Sequence, residues 1–255
     1  MKRKKTILMY HDVYNGDIYE SGFCSDGANY YKLEKKRFED HVVKIVDILE
    51  KNKIKKEEIV LTFDDGGESF FTIVAPLLEK YGFKGHFFVV TDKIGEKGFL
   101  NENQITNLVK RGHEIGSHSV SHPEDMTIMS REDREKEWIQ SINQLNAIIG
   151  KPIQSVSIPN GFFLKDDIMI FLRLGVKYVY TSKIGQKINI DDLSVLGRYG
   201  ITSNYDAKDV ELIITDPIYR LRLRSRQVVL SFCKKILGKK YFGIKAAIRR
   251  WQVRA

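Results

Sequence analysis

The sequence predicts an α/β fold built on a parallel sheet, either open or closed into a barrel. Three observations predict it. Short apolar runs and longer segments of helical period alternate about six or seven times along the chain. The polar motifs follow the ends of the apolar runs, where parallel α/β sheets and barrels place their chemistry. The length, 255 residues, suits one such domain with a short appendage.

Taken in order, Thr6–Tyr10 is an apolar run ending at His11 and Asp12, and a polar, glycine-containing stretch follows to Tyr31. Phe38, Val42, Ile45, Val46 and Leu49 recur at helical spacing, which predicts a helix over Phe38–Asn52. Ile59–Phe63 reads as a strand, Ser69–Tyr81 as a helix closed by Gly82, and Gly85–Thr91 as a strand. Asn101–Arg111 reads as a helix closed by Gly112, and His113–Gly116 as a strand running into Ser117–Pro123. Ser130 can cap a long helix to Ile149, with Asp133 three residues on and Gly150 and Pro152 as its stop. Val156–Pro159 and Tyr178–Thr181 are strands on either side of a helix at Lys165–Gly175, and Leu193–Ile201 is a short irregular strand.

Composition narrows the functional classes. Hydrophobic residues make up 42% and charged residues 29%, as in a globular core. No window approaches a membrane-spanning run. The basic Met1–Lys5 start precedes too short an apolar stretch for a signal peptide, so an uncleaved cytoplasmic start is expected. Cys24 and Cys233 lie far apart without metal-binding spacing and are expected to be reduced. The net charge of +9 is uneven: 12 of the 42 Lys and Arg fall in Arg220–Ala255, which has no Asp or Glu, leaving 30 basic against 33 acidic residues, a net of −3, in the body. This predicts a catalytic body over 1–210 and a basic tail over 211–255.

Two motifs carry the chemistry. In Leu61-Thr62-Phe63-Asp64-Asp65-Gly66-Gly67, two carboxylates at a strand end can divide the work, one on a metal and one taking a proton from water. Alone, the pair is a weak signal, and a cap for the helix at Ser69 is the commoner reading of it. In Gly112-His113-Glu114-Ile115-Gly116-Ser117-His118-Ser119-Val120-Ser121-His122-Pro123, His118 and His122 stand four apart, close enough for both imidazoles to meet one cation. Two His and one carboxylate suit Zn²⁺ first, and the donor types also admit Fe, Co, Mn or Ni. Two surface histidines on a loop is the other reading of that spacing.

Together these segments resemble the polysaccharide deacetylases of the NodB-homology type, carbohydrate esterase family 4, over about Lys5–Thr202. The resemblance implies a distorted (β/α)7 barrel and a metal-dependent hydrolase removing N-acetyl groups from an acylated glycan or lipid-linked saccharide. It implies Asp64 as the base, Asp65, His118 and His122 as metal ligands, and Ser157-Ile158-Pro159-Asn160-Gly161 as a departed form of the family's third motif. There Pro159 and Gly161 shape the substrate side, the Asn160 N–H is the oxyanion donor, and Ser157 stands where the family has an arginine. Val195-Leu196-Gly197-Arg198-Tyr199-Gly200 occupies the place of the family's late histidine, and no His follows His122. Arg198 stays charged near neutral pH and is no ordinary acid; it binds an anionic group or steadies Asp64. Proton return to the amine then falls to Asp64, to water, or to another histidine, with His11 and His86 as candidates. Met9-Tyr10-His11-Asp12-Val13 and Gly85-His86-Phe87-Phe88 resemble a subgroup acting in exopolysaccharide or surface-glycan biosynthesis. His41 and His113 are read as structural. An O-acetyl esterase, a deformylase and a silent glycan-binding relative are the competing classes.

The tail reads as one or two basic amphipathic helices for an anionic membrane surface, with Arg220, Arg222, Arg224, Lys239, Lys240 and Trp251 as contacts. A helix packed on the body with solvated charges is the alternative. No nucleic-acid module is present, and no nucleic-acid partner is expected.

Overall fold

A computed structural model of the chain describes residues Lys5–Leu237. Its strands are β1 (Thr6–Tyr10), β2 (Val13–Tyr14), β3 (Leu33–Glu34), β4 (Ile59–Phe63), β5 (Gly85–Val89), β6 (Glu114–Ser117), β7 (Ser155–Ser157), β8 (Tyr178–Thr181), β9 (Lys187–Ile190), β10 (Leu193–Gly197) and β11 (Tyr199–Gly200). β2 and β3 pair by themselves. The other nine form one sheet in the order β11-β1-β4-β5-β6-β7-β8-β10-β9. All its neighbours run parallel except β9 on β10.

The sheet closes through one extended run. Leu193–Gly200 pairs with β8 along its first half, Gly197 opposite Thr181, and with β1 along its second, Tyr199 opposite Leu8. At the change of partner the Arg198 N–H donates to the Thr181 carbonyl (3.0 Å) and the Ile201 N–H to the Met9 carbonyl (2.8 Å). The result is a ring of seven parallel strands, a distorted barrel. Gly197 makes the seam possible, since a Cβ there would lie 1.7 Å from the Lys183 carbonyl oxygen.

Side-chain alternation sorts the strand residues. Ile7, Phe88 and Tyr180 meet inside the barrel with Val60 and Leu196 against them. Tyr10 and Phe63 pack outward on Phe38 (ring centroids 5.4 and 5.8 Å). Full burial of such aromatics contributes about 1.5–3 kcal/mol each. The helices that cover the strands run Lys35–Asn52, Ala75–Lys80, Glu102–Lys110, Arg131–Ile149 and Asp167–Arg173. Local chemistry starts them where expected: Asn101 and Gln104 form a capping box, and the Ser130 hydroxyl accepts the Asp133 N–H (3.1 Å). The predicted helix at Ser69–Tyr81 differs, because a wide turn of π type over Phe70–Val74 precedes Ala75–Lys80. Helix Ala207–Thr215 carries the chain across the predicted domain edge at 210 and buries Val210, Ile213 and Ile214.

The chain divides into two compact units at Ile214/Thr215. In the second, helix Pro217–Leu237 starts at Asp216, whose carboxylate accepts the N–H groups of Ile218 (2.7 Å) and Tyr219 (3.2 Å). Among the described residues no helix is long and apolar enough to cross a membrane.

Candidate active site

The C-terminal ends of β4 and β6 deliver the two motifs to one place. Asp65 Oδ1 lies 3.4 Å from His118 Nε2 and 3.5 Å from His122 Nε2. One donor atom from each of these three residues fits within 4.8 Å of the others. The backbone pays a conformational cost here. Of the six non-glycine residues with positive φ among the described residues, four (Asp65, Ser119, His122 and Asn160) stand in or beside this site. Each such position costs on the order of 1–3 kcal/mol and persists where surrounding bonds impose it.

The donor set fits a divalent cation. His118 Nδ1 donates to the Ser157 carbonyl (2.8 Å), which turns Nε2 towards Asp65, where a cation would take the place of the Nε2 proton. Burial works against a charged His118, but Asp64 and Asp65 outweigh it and raise its pKa. Burial and the neighbouring His118 push His122 down to about 4, so it offers a neutral ring. Burial raises Asp65, and the His118 hydrogen bond with His11 and His122 more than reverses this, keeping the carboxylate ionised. Such a charge-rich trio, with Asp65 and His118 buried and His122 half-buried, is suited to holding Zn²⁺ or a similar ion.

Asp64 belongs to a second arrangement. The Arg198 guanidinium grips it with both arms, Nη1 to Oδ1 at 2.7 Å and Nη2 to Oδ2 at 2.6 Å. Thr62 Oγ1 accepts from Nη1 (3.1 Å), and Ser157 Oγ accepts from Nη2 (2.8 Å) while donating to Asp64 Oδ2 (3.0 Å). The guanidinium also lies 5.6 Å from the centre of the Phe88 ring. Burial would raise Asp64; Arg198 first, then His118, hold it well below the usual carboxylate range. Asp64 Oδ2 stands 4.0 Å from His118 Nε2, beside the trio and outside it. Thus Arg198, from the seam strand, reaches the carboxylate that the motif position at Ser157 leaves without an arginine.

A cavity of about 500 Å³ opens over these groups. His11 lines it with its ring 4.6 Å from that of Tyr31, and His11 Nδ1 is buried with no hydrogen-bond partner among the described residues. Asn160 and Gly161 line it too, whereas Pro159 is buried and does not. His86 is elsewhere. It lines a separate cavity at the opposite end of the barrel, with Nε2 2.7 Å from Ser155 Oγ and Nδ1 3.3 Å from Glu114 Oε2. The structure therefore brings Asp64, Asp65, His11, His118, His122, Asn160, Gly161 and Arg198 together and leaves His86 out. His41 and His113 are buried in hydrogen bonds to Tyr205 and Glu79. Arg220, Arg222 and Arg224 fall on helix Pro217–Leu237, and Lys239, Lys240 and Trp251 lie outside the described residues, as does the Cys233 side chain. Cys24 is a free thiol.

The polysaccharide deacetylase family matches residues 51–179, half of the sequence, and the match contains both motifs. This chain belongs to that family. Among curated relatives, Bacillus subtilis YxkH is 26% identical over 196 residues, covering 71% of this chain and 66% of that protein. The poly-beta-1,6-N-acetyl-D-glucosamine N-deacetylase of Staphylococcus aureus is 23% identical over 204 residues, covering 68% and 70%. The chain spans less than two thirds of the length of the first curated relatives it matches. Among solved structures, Streptococcus pyogenes deacetylase PplD superposes with a TM-score of 0.67 at 22% identity, covering 83% of this chain and 98% of that one. The Bacillus cereus polysaccharide deacetylase BC0361 gives 0.68 at 19%, covering 84% and 69%. These likenesses place the fold among those of the family.

Sequence reasoning missed the residues that hold this family member's pocket wall. Asp12 is buried between two backbones, and its Oδ1 accepts from Ser21 Oγ (2.7 Å) and Ser69 Oγ (2.8 Å). A Cβ on Gly22 or Gly67 would sit 1.7 or 1.8 Å from that carboxylate. Lys32, equally buried, donates to the carbonyls of Ile18 (2.7 Å) and Ser21 (2.6 Å). These bonds tie the stretch before Tyr31 to the turn after Asp65 and seat Phe23 5.3 Å from the His122 ring. The available signal was a polar stretch rich in glycine and serine beside the first motif.

Proposed function

We propose that this chain is a metal-dependent deacetylase that removes N-acetyl groups from amino sugars of a polysaccharide or lipid-linked saccharide, in surface-glycan biosynthesis and at an anionic membrane face. The observation that carries the reading is the Asp65–His118–His122 trio set beside a separately held, ionised Asp64. Zn²⁺ suits the donors, and Fe, Co, Mn or Ni would fit the same types.

A bound cation would supply Lewis-acid polarisation of the acyl carbonyl. Asp64 takes a proton from the attacking water. Arg198 fixes which way the Asp64 oxygens point and keeps them ionised, at the expense of basicity. The Asn160 N–H, on a left-handed residue lining the cavity, faces the developing oxyanion. Gly161 leaves the wall thin, and buried Pro159 holds its turn. His11, whose buried Nδ1 has no hydrogen-bond partner among the described residues, gives its own proton to the departing amine and is reprotonated from solvent, while Asp64 releases to solvent the proton it took from water. The relative from Staphylococcus aureus supports an N-acetylated amino sugar as substrate class.

The test is metal content together with acetate release from free and lipid-linked N-acetylhexosamine oligosaccharides, with O-acetylated and N-formylated sugars alongside. Turnover of the N-acetyl substrate that vanishes in Asp64→Asn, with metal retained, supports the reading. Metal binding without acetate release from any of them sinks it.

A further inference from the structure

We propose that helix Pro217–Leu237 is a docking surface that lies in the plane of an anionic lipid bilayer. The proposal deepens the membrane-face part of the reading above and does not rest on its chemistry. Ile218, Leu221, Val228, Val229 and Phe232 are 61%, 62%, 62%, 58% and 63% exposed. At 100° per residue they fall on one stripe, interrupted only by Ser225. Apolar residues scattered singly over a surface are ordinary; a continuous exposed stripe of five marks a contact surface.

The charges choose the occupant. Arg222 and Arg226 flank the stripe on one side and Arg224 on the other, all exposed. No acidic residue occurs from Arg220 to Ala255. A second copy pairing helix on helix across the stripe would bring arginine rows against each other with no carboxylate between them to answer them. An acidic soluble protein would answer the arginines and leave the five apolar side chains without a matching layer. A bilayer with anionic headgroups does both: the apolar side chains enter the acyl boundary and the arginine stems reach out to the phosphates. The helix is not apolar enough to cross, so it lies along the surface.

The test is co-sedimentation of the full chain with vesicles of phosphatidylglycerol mixed into phosphatidylcholine, and of phosphatidylcholine alone. Binding to the anionic vesicles is expected, with loss at high salt. The triple variant Leu221→Ser, Val228→Ser, Phe232→Ser should bind at least 100-fold more weakly. Arg222→Gln, Arg224→Gln, Arg226→Gln should lose up to about fivefold per arginine and part of the salt dependence. Acetate release from a soluble oligosaccharide should be the same in all three proteins, which separates this proposal from the catalytic one. A full chain that ignores anionic vesicles overturns it. So does undiminished binding of the apolar triple variant, or a dimer in vesicle-free buffer that the same variant abolishes.

Discussion

The two ends of the barrel each hold a buried histidine against a carboxylate, and the two pairs behave in opposite ways. At the C-terminal end, His118 faces Asp65 and Asp64, both buried, and its pKa is raised. At the N-terminal end, His86 faces Glu114, whose side chain is 76% exposed, and its pKa is pushed down to about 3 by burial and by Arg198. A carboxylate in water is screened and does not offset the loss of hydration at the ring. What distinguishes the ends is how dry the acid is, and dryness is what a cation site and a held base require. The presence of a His–acid contact, by itself, says little.

Breaking the dry end should give the largest effects. Asp65→Asn or His118→Gln should weaken metal binding at least 100-fold and abolish turnover, read by metal titration of the stripped protein. In the unaltered protein, metal affinity should fall as pH drops through the raised pKa of His118, because the proton and the cation compete for Nε2; an affinity independent of pH from 8 to 5 would contradict this.

Next comes the hold on Asp64. Arg198→Met leaves a buried carboxylate unpaired and should cost about 3–5 kcal/mol of stability. Arg198→Lys keeps the charge and loses the two-armed grip, and should cost less stability than activity. Denaturant unfolding and kcat on one set of proteins compare the two directly.

At the other end the expected effects are on stability. With a folded pKa of about 3 against 6.5 unfolded, the unfolded chain takes up the His86 proton first as pH falls. Stability is therefore full above about pH 6.5 and is lost progressively down towards pH 3, by on the order of 2–4 kcal/mol. His86→Gln should flatten that slope while leaving turnover at neutral pH within about threefold. A turnover loss of 100-fold would place His86 in the chemistry after all. The smallest effect belongs to Ser157→Ala, which removes one support from Arg198 and Asp64 and should cost about 1–2 kcal/mol with a few-fold drop in kcat.

The same contrast explains what was legible in the sequence. β4 and β8 have the residues predicted for them because compact apolar runs bounded by polar motifs leave little freedom. The trio and Asp64 were legible because each motif is contiguous. β9 and helix Ala207–Thr215 were missed: the exposed strand Lys187–Ile190 has no buried face to pattern, and the helix is short. Arg198 was found by its place in the chain, but its grip on a carboxylate 134 residues away follows from the closure of the ring, which no local spacing encodes. Asp12 and Lys32 escaped for the same reason, since their partners come from several loops.

The seam at Leu193–Gly200 has a consequence for how this protein comes into being. The arginine that holds Asp64 sits on the last strand of the ring to leave the ribosome. A chain ending before Arg198 contains Asp65, His118 and His122 but lacks the guanidinium that grips Asp64. The grip on Asp64 thus forms only when the circle is joined, which in the order of synthesis comes last.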